Sequence, residues 1–161
     1  MKERRLLILL LMMVMIMWGI VSIVSSANSE NGMISSLASV QTKLLNGRAA
    51  PRKKATVEAR FDYGDKLELT GEWSADHKWV EAVGGETGTV WVSIRYISER
   101  KHFTAKNVDY KEVKVRDWPI NGKVRHKIKK GQTVEIEQVV LGWGKTRYGW
   151  VDLYYLEEIQ E

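Results

Sequence analysis

Residues 43–158 contain one segment twice. Aligning Arg48 with Arg116 brings Pro51 onto Pro119, the only two prolines in the chain. With one extra residue allowed in the first copy, Val57, Phe61, Gly64, Leu67 and Leu69 meet Val124, Ile128, Gly131, Val134 and Ile136. Trp79 then meets Trp143. Finally Trp91-Val92-Ser93-Ile94-Arg95-Tyr96-Ile97 meets Trp150-Val151-Asp152-Leu153-Tyr154-Tyr155-Leu156 without a gap. A repeat outranks local propensity as a fold signal, because both copies must be able to adopt the same small structure.

Each copy, of roughly 50 residues, reads as several short strands. Leu67-Glu68-Leu69 and Val134-Glu135-Ile136 alternate in the period-2 manner of a half-buried strand. Gly64-Asp65 and Lys130-Gly131 supply turn chemistry just before them. Gly84-Gly85-Glu86-Thr87-Gly88 joins two further strands in the first copy, and Tyr148-Gly149 makes a tighter turn in the second. No long amphipathic helix occurs in either copy. This pattern predicts an all-β fold of two small closed or half-closed barrels. The expected first core is Val57, Phe61, Leu67, Leu69, Val80, Val92 and Ile97. The expected second core is Val124, Ile128, Val134, Ile136, Val151 and Leu156.

The residues resemble the bacterial SH3-like domain family. The resemblance lies in Leu45-Asn46-Gly47-Arg48-Ala49-Ala50-Pro51 and Val113-Lys114-Val115-Arg116-Asp117-Trp118-Pro119. It continues in Lys129-Lys130-Gly131-Gln132-Thr133-Val134-Glu135-Ile136 and closes with Gly149-Trp150-Val151 and Tyr155-Leu156. The second copy matches better. The first has Gly47 where the family favours an aliphatic residue, Val90 where it favours Gly, and a longer hairpin loop. The resemblance implies two SH3-like barrels in tandem, a first domain at 43–99, a linker at 100–107 and a second domain at 108–158. It also implies a non-enzymatic binding unit of an exported protein, recognising peptidoglycan or another wall polymer.

The amino end reads as an export segment. Lys2, Arg4 and Arg5 precede an apolar run from Leu6 to Val24, and no further Lys or Arg occurs until Lys43. At a rise of about 1.5 Å per residue the run spans roughly 28 Å, close to a hydrocarbon core. The charge imbalance places the remainder of the chain outside the cytoplasm. Ser25-Ser26-Ala27 offers a cleavage site, which would make 1–27 a signal peptide. The length of the run suits a retained membrane anchor instead, and both readings stay open. Residues 28–42, rich in Ser, Asn and Gly, read as a flexible tether. The net charge is +5, and without residues 1–27 it falls to +3. That small excess, on an exported chain, argues against nucleic acid as a partner. The chain has no Cys, which excludes disulfides, thiolate metal sites and a Cys nucleophile.

No catalytic constellation is legible. His77, His102 and His126 are too far apart in sequence for a short metal motif, and no P-loop, GxSxG or dinucleotide fingerprint occurs. The expectation is no enzyme, no cofactor and no metal. The aromatic residues carry more information. If Val80, Ala82 and Val151 point inward, strand parity turns Trp79, Trp143 and Trp150 outward, with Trp91 repeating the arrangement in the first copy. Trp143 and Trp150, flanked by Lys145 and Arg147, form the candidate ligand face, with Trp79 and Trp91 as its counterpart. The competing reading is a cross-strand aromatic pair or a seam where the copies dock. Lys123, Arg125, Lys127 and Lys129 share one parity on a basic strand. They suit an anionic wall polymer, a phospholipid surface or nucleic acid, or else a charge-protected sheet edge. The expected partner is a cell-wall polymer or an envelope protein, with the membrane engaged through residues 6–24 if they are retained. The competing function is a structural or docking subunit of an envelope complex, with no polymer ligand.

Overall fold

Alternation and glycine turns organise the chain into short strands, fifteen of them among the described residues. The computed structural model describes residues 36–86 and 88–159. The expected leader, with its apolar run at 6–24, lies outside the described residues. In the first repeat the strands are β1 (Ser36–Val40), β2 (Leu44–Arg48), β3 (Val57–Asp62), β4 (Lys66–Trp73), β5 (Trp79–Val83), β6 (Thr89–Ser93) and β7 (Ile97–Ser98). A 3₁₀ turn, Ile94–Tyr96, joins the last two. They form one sheet in the order β3-β2-β6-β5-β4-β1-β7.

The second repeat runs β8 (Phe103–Lys106), β9 (Glu112–Arg116), β10 (Val124–Lys129), β11 (Thr133–Ile136), β12 (Gln138–Val140), β13 (Trp143–Thr146), β14 (Gly149–Asp152) and β15 (Glu157–Ile159). Its 3₁₀ turn, Leu153–Tyr155, occupies the same place. The order is β10-β9-β14-β13-β12 in one sheet and β11-β8-β15 in another. This is the first repeat's order again, with the long β4 replaced by β11 and β12 on either side of Glu137. All pairs are antiparallel.

Three expectations need correction. The sheets do not close into barrels: β3 and β7 end the first sheet, and the second repeat is split between two. Residues 36–40 are not tether. They form β1, paired to both β4 and β7, with Ala38 and Val40 fully buried. Residues 103–106, read as linker, form β8, the central strand between β11 and β15. Neither segment has a strong strand signature by itself. Each becomes a strand because two neighbours need its backbone groups.

The repeats share finer detail. Gly64 and Gly131 both take a left-handed conformation, φ +90° and +81°. Their N–H groups donate to the carbonyls of Val40 at 3.0 Å and Asn107 at 2.7 Å. Arg48 donates to the carbonyl of Ala55 at 2.8 Å, and Arg116 to that of Gly122 at 2.7 Å. The aligned arginines therefore close the loops that carry the aligned prolines. Both edge hairpins also shift register at one place, between Gly47 and Arg48 and between Val124 and His126. Strand β10 is a sheet edge, and Arg125 and Lys127 on it pair with Asp117 at 3.1 Å and Glu112 at 2.6 Å.

Leu67, Leu69, Val80, Val92 and Ile97 lie in the first core, and Ile128, Ile136 and Val151 in the second. Phe61, Val134 and Leu156 pack at the margins, whereas Val124, beside the register shift, is exposed. The first cluster also takes in Val140 and Trp150 of the second repeat. Strand parity explains this. On β12 Val139 faces its own core and Val140 faces the other repeat. On β14 Val151 and Trp150 divide the same way. Hydrogen bonds accompany the contact: Glu99 N–H donates to the Val139 carbonyl at 2.9 Å, and Val139 N–H to Ser98 Oγ at 3.0 Å. Glu99 Oε1 accepts from Ser36 Oγ at 2.8 Å and from Leu141 N–H at 2.6 Å. Leu141 and Gly142, φ +45° and +78°, make the two-residue turn joining β12 to β13. The described residues, from Ser36 onward, make one compact unit.

The family departures at Gly47 and Val90 compensate each other. A Cβ on Gly47 would lie 2.7 Å from Val90 Cγ2. At the aligned positions of the second repeat stand Val115 and Gly149, where a Cβ on Gly149 would lie 3.3 Å from Val115 Cγ1 and 2.2 Å from the Arg116 carbonyl oxygen. The small and large residues have exchanged sides of one contact. Gly47→Val should therefore destabilise by about 1–3 kcal/mol through overpacking. Combined with Val90→Gly it should cost less than the two single changes summed, as measured by urea unfolding of all three variants. Trp150→Ala should cost about 3–5 kcal/mol. It should lower the unfolding of both repeats together, which separate probes in each repeat would show as coincident transitions.

Candidate functional site

Each repeat carries a groove built from aligned residues. In the first, β2 supplies Leu44, Leu45 and Arg48, β5 supplies Trp79, and the 3₁₀ turn with its cap supplies Ser93, Arg95 and Tyr96. In the second, Glu112, Val113 and Arg116 come from β9, Trp143 from β13, and Asp152 and Tyr155 from the equivalent turn. The first groove has a volume of about 720 Å³ and the second about 400 Å³.

The hairpin loop between β4 and β5 fixes one wall of the first groove. Ser74 N–H donates to the Trp79 carbonyl at 3.0 Å, and Trp79 N–H returns to Ser74 Oγ at 3.1 Å. Asp76 Oδ1 accepts from Ser74 Oγ at 2.8 Å and from Lys78 N–H at 3.2 Å. His77 between them takes φ +52°. This network holds Lys78 and Trp79 at the groove. Arg52 and Lys53 line the opposite loop, and Trp118 enters from the second repeat.

The second groove is balanced in charge, with Glu112 and Asp152 beside Lys114 and Arg116. Tyr110 meets Tyr155 edge-on at 4.9 Å, and Tyr155 meets Tyr154 the same way at 5.2 Å. Burial, followed by the neighbouring Tyr154, Tyr155 and Asp109, raises the pKa of Tyr110. The hydrogen bond from Lys127 holds Glu112 below the usual carboxylate value. Ile120 stands at the rim with φ +62°. A β-branched residue in that region stores about 1–3 kcal/mol of strain.

The expected ligand face is distributed rather than gathered. Trp143 and Trp150 do share one side of their hairpin, since Trp143 pairs with Asp152 and Lys145 with Trp150. That side meets the first repeat. Trp150 is only 2% exposed, so its ring offers no face to a ligand. Lys145 covers it, the amine 5.5 Å from the ring centre. Trp143 is half-buried and lines the second groove. Arg147 is exposed over Tyr148, 4.5 Å from its ring, beside a different cleft. Tyr148 stacks on His126 at 4.1 Å. Trp79 lines the first groove, while Trp91, half-buried on β6, pairs with Arg48 and Glu81. The groove residues Tyr96, Lys78, Arg95 and Trp118 were not singled out from the sequence. The signal for Trp118 was its mismatch with Ala50 between otherwise aligned copies. Among the described residues no three His, Cys, Asp or Glu side chains are grouped to hold a metal ion.

The chain matches no protein-family model and no curated protein sequence. Among solved structures it is similar to NlpC1 from Trichomonas vaginalis, with 16% identity and a TM-score of 0.38 over 84% of this chain and 50% of that one. NlpC2 from Trichomonas vaginalis gives 12% and 0.35 over 79% and 49%. The CBD of endolysin LysPBC5 gives 14% and 0.33 over 81% of this chain and 97% of that one. The chain thus spans about half the length of the two Trichomonas proteins.

Lys145 has a stability signature. Burial lowers its pKa, Glu137 opposes the shift and Arg95 adds to it. Between the folded pKa and the usual 10.5, the unfolded chain holds a proton that the folded chain has released. Stability from this group therefore rises as pH climbs through that window. Urea unfolding across the window should show this rise in the parent chain and its absence in Lys145→Met.

Proposed function

We propose that this chain is a non-enzymatic extracytoplasmic binding module that recognises peptidoglycan or another cell-envelope component through its two aligned grooves. One observation carries the reading: the duplicated sequence builds the same aromatic-walled groove twice, with Trp79 and Tyr96 in one copy and Trp143 and Tyr155 in the other. Flat aromatic walls suit the apolar faces of sugar rings and the side chains of stem peptides, and polar groups beside them fix orientation. The resemblance of Arg48–Pro51, Arg116–Pro119 and Gly149–Val151 to the SH3-like family supports the same class. The apolar segment at 6–24 would carry the module across the membrane, either cleaved after Ala27 or kept as an anchor.

A second reading, a structural or docking subunit without a polymer ligand, is favoured by the burial of Trp150 between the repeats. Co-sedimentation of the full chain with purified sacculi separates the two. Trp79→Ala with Tyr96→Ala, and Trp143→Ala with Tyr155→Ala, should each weaken binding roughly thirtyfold, since each of the two ring contacts removed contributes about 1 kcal/mol. Unchanged sedimentation of both variants, with circular dichroism showing an intact fold, would replace the binding reading by the structural one.

A further inference from the structure

The two aligned grooves have diverged in charge. In the second, Lys114 and Arg116 are matched by Glu112 and Asp152. In the first, Arg48, Arg52, Lys53, Lys78 and Arg95 face one carboxylate, Asp76. Asp76 is already engaged by Ser74 Oγ, Lys78 N–H and, at 3.7 Å, the Lys78 amine. Among the described residues Arg52, Lys53 and Arg95 form no ion pair with a carboxylate. A cavity that concentrates cations without internal counter-charges is complementary to a polyanion.

Trp118 adds an independent feature. It belongs to the second repeat, has only Ala50 at its aligned position, and lies half-buried against the first core. The Lys78 amine stands 5.1 Å from its ring centre and the Arg95 guanidinium 5.0 Å. The two cations are tied together, because Ile94 N–H donates to the Lys78 carbonyl at 3.2 Å. Gln138 of the second repeat fixes the same turn by donating to the carbonyls of Ile94 and Ile97. One wall of the first groove is therefore built only when the second repeat is docked.

We infer that the first groove is a composite site for a phosphodiester-linked polymer, completed by the second repeat. Trp118 lies against the apolar links of the polymer, and Lys78, Arg95, Arg52 and Lys53 meet successive phosphates. Cations spread along a groove suit an anion that recurs along a chain, and a guanidinium fork matches phosphate oxygens in pairs. This rests on the reading of the grooves as ligand sites and names the ligand class of one of them.

The test titrates the full chain with a synthetic poly(glycerol phosphate) oligomer, with neutral polyglycerol of the same length, and with vesicles containing an anionic phospholipid. The oligomer should bind, neutral polyglycerol should not, and vesicle binding, which the apolar run at 6–24 supplies by itself, should be unchanged by Lys78→Gln with Arg95→Gln. Lys78→Gln with Arg95→Gln should weaken oligomer binding roughly tenfold, each exposed cation being worth at most about fivefold. Lys129→Gln with Lys130→Gln, on the exposed edge of the second repeat, should change it less than twofold. Trp118→Ala should weaken it as well, and if that variant fails to fold, the Lys78 and Arg95 pair decides. Equal binding of polyglycerol, equal loss in both charge pairs, no loss in the first pair, or vesicle binding that falls with the first pair would each overturn the inference. Sacculi stripped of phosphate polymer that still bind through Trp79 and Tyr96 would leave the envelope reading standing while this one fails. Oligomer binding without sacculus binding would do the reverse.

Discussion

The burial of Trp150 against the first repeat is the contact on which the rest of the molecule depends. A domain of roughly 50 residues buries a smaller fraction of its surface than a larger one, and it usually needs disulfides or metals to stand alone. This chain has no cysteine. Its two repeats instead join cores, with Val140 and Trp150 contributing to a cluster that otherwise belongs to the first repeat. Val139 and Val151, on the same strands, stay with the second. Two short strands thus serve two cores by alternation, and Glu99, Ser98 and Gln138 satisfy polar groups along the seam.

Duplication shows which residues the fold requires and which it can trade. The arginines that begin each matching block close their own loops through backbone carbonyls, so they serve the same structural purpose in both copies. The Gly47 and Val90 pair against Val115 and Gly149 shows a trade: total volume is kept while the bulky partner changes strand. Trp118 against Ala50 shows the opposite case, a residue added in one copy that contacts the other.

Strand alternation and turn glycines made the all-β class, part of each core and the shared outward face of Trp143 and Trp150 legible. What that outward face meets was not legible, because parity relates a side chain to its own sheet and says nothing about a neighbouring domain. The strands Ser36–Val40 and Phe103–Lys106 were missed for a related reason. Each run is only four or five residues long and mixes apolar with polar residues too briefly to mark a strand, and its conformation comes from being flanked on both sides. Parity also failed at Val124, where the register shift turns an expected core residue to solvent. The grooves could not be read from sequence because each draws on residues from several strands and a turn.

The connection between the repeats, from Glu99 to His102, is pinned at its start by the Glu99 contacts and runs straight into the central strand β8. The two grooves are therefore held at one spacing and one mutual angle. Flexibly joined domains must lose freedom when a second site engages, and their effective concentration falls as the tether lengthens. Here that loss has already occurred during folding. A repeating ligand whose period fits the fixed spacing gains the full product of both contacts, whereas one with a different period engages a single groove. If both grooves hold ligand, as proposed, the molecule would act as a ruler, selecting by repeat length as well as by chemistry.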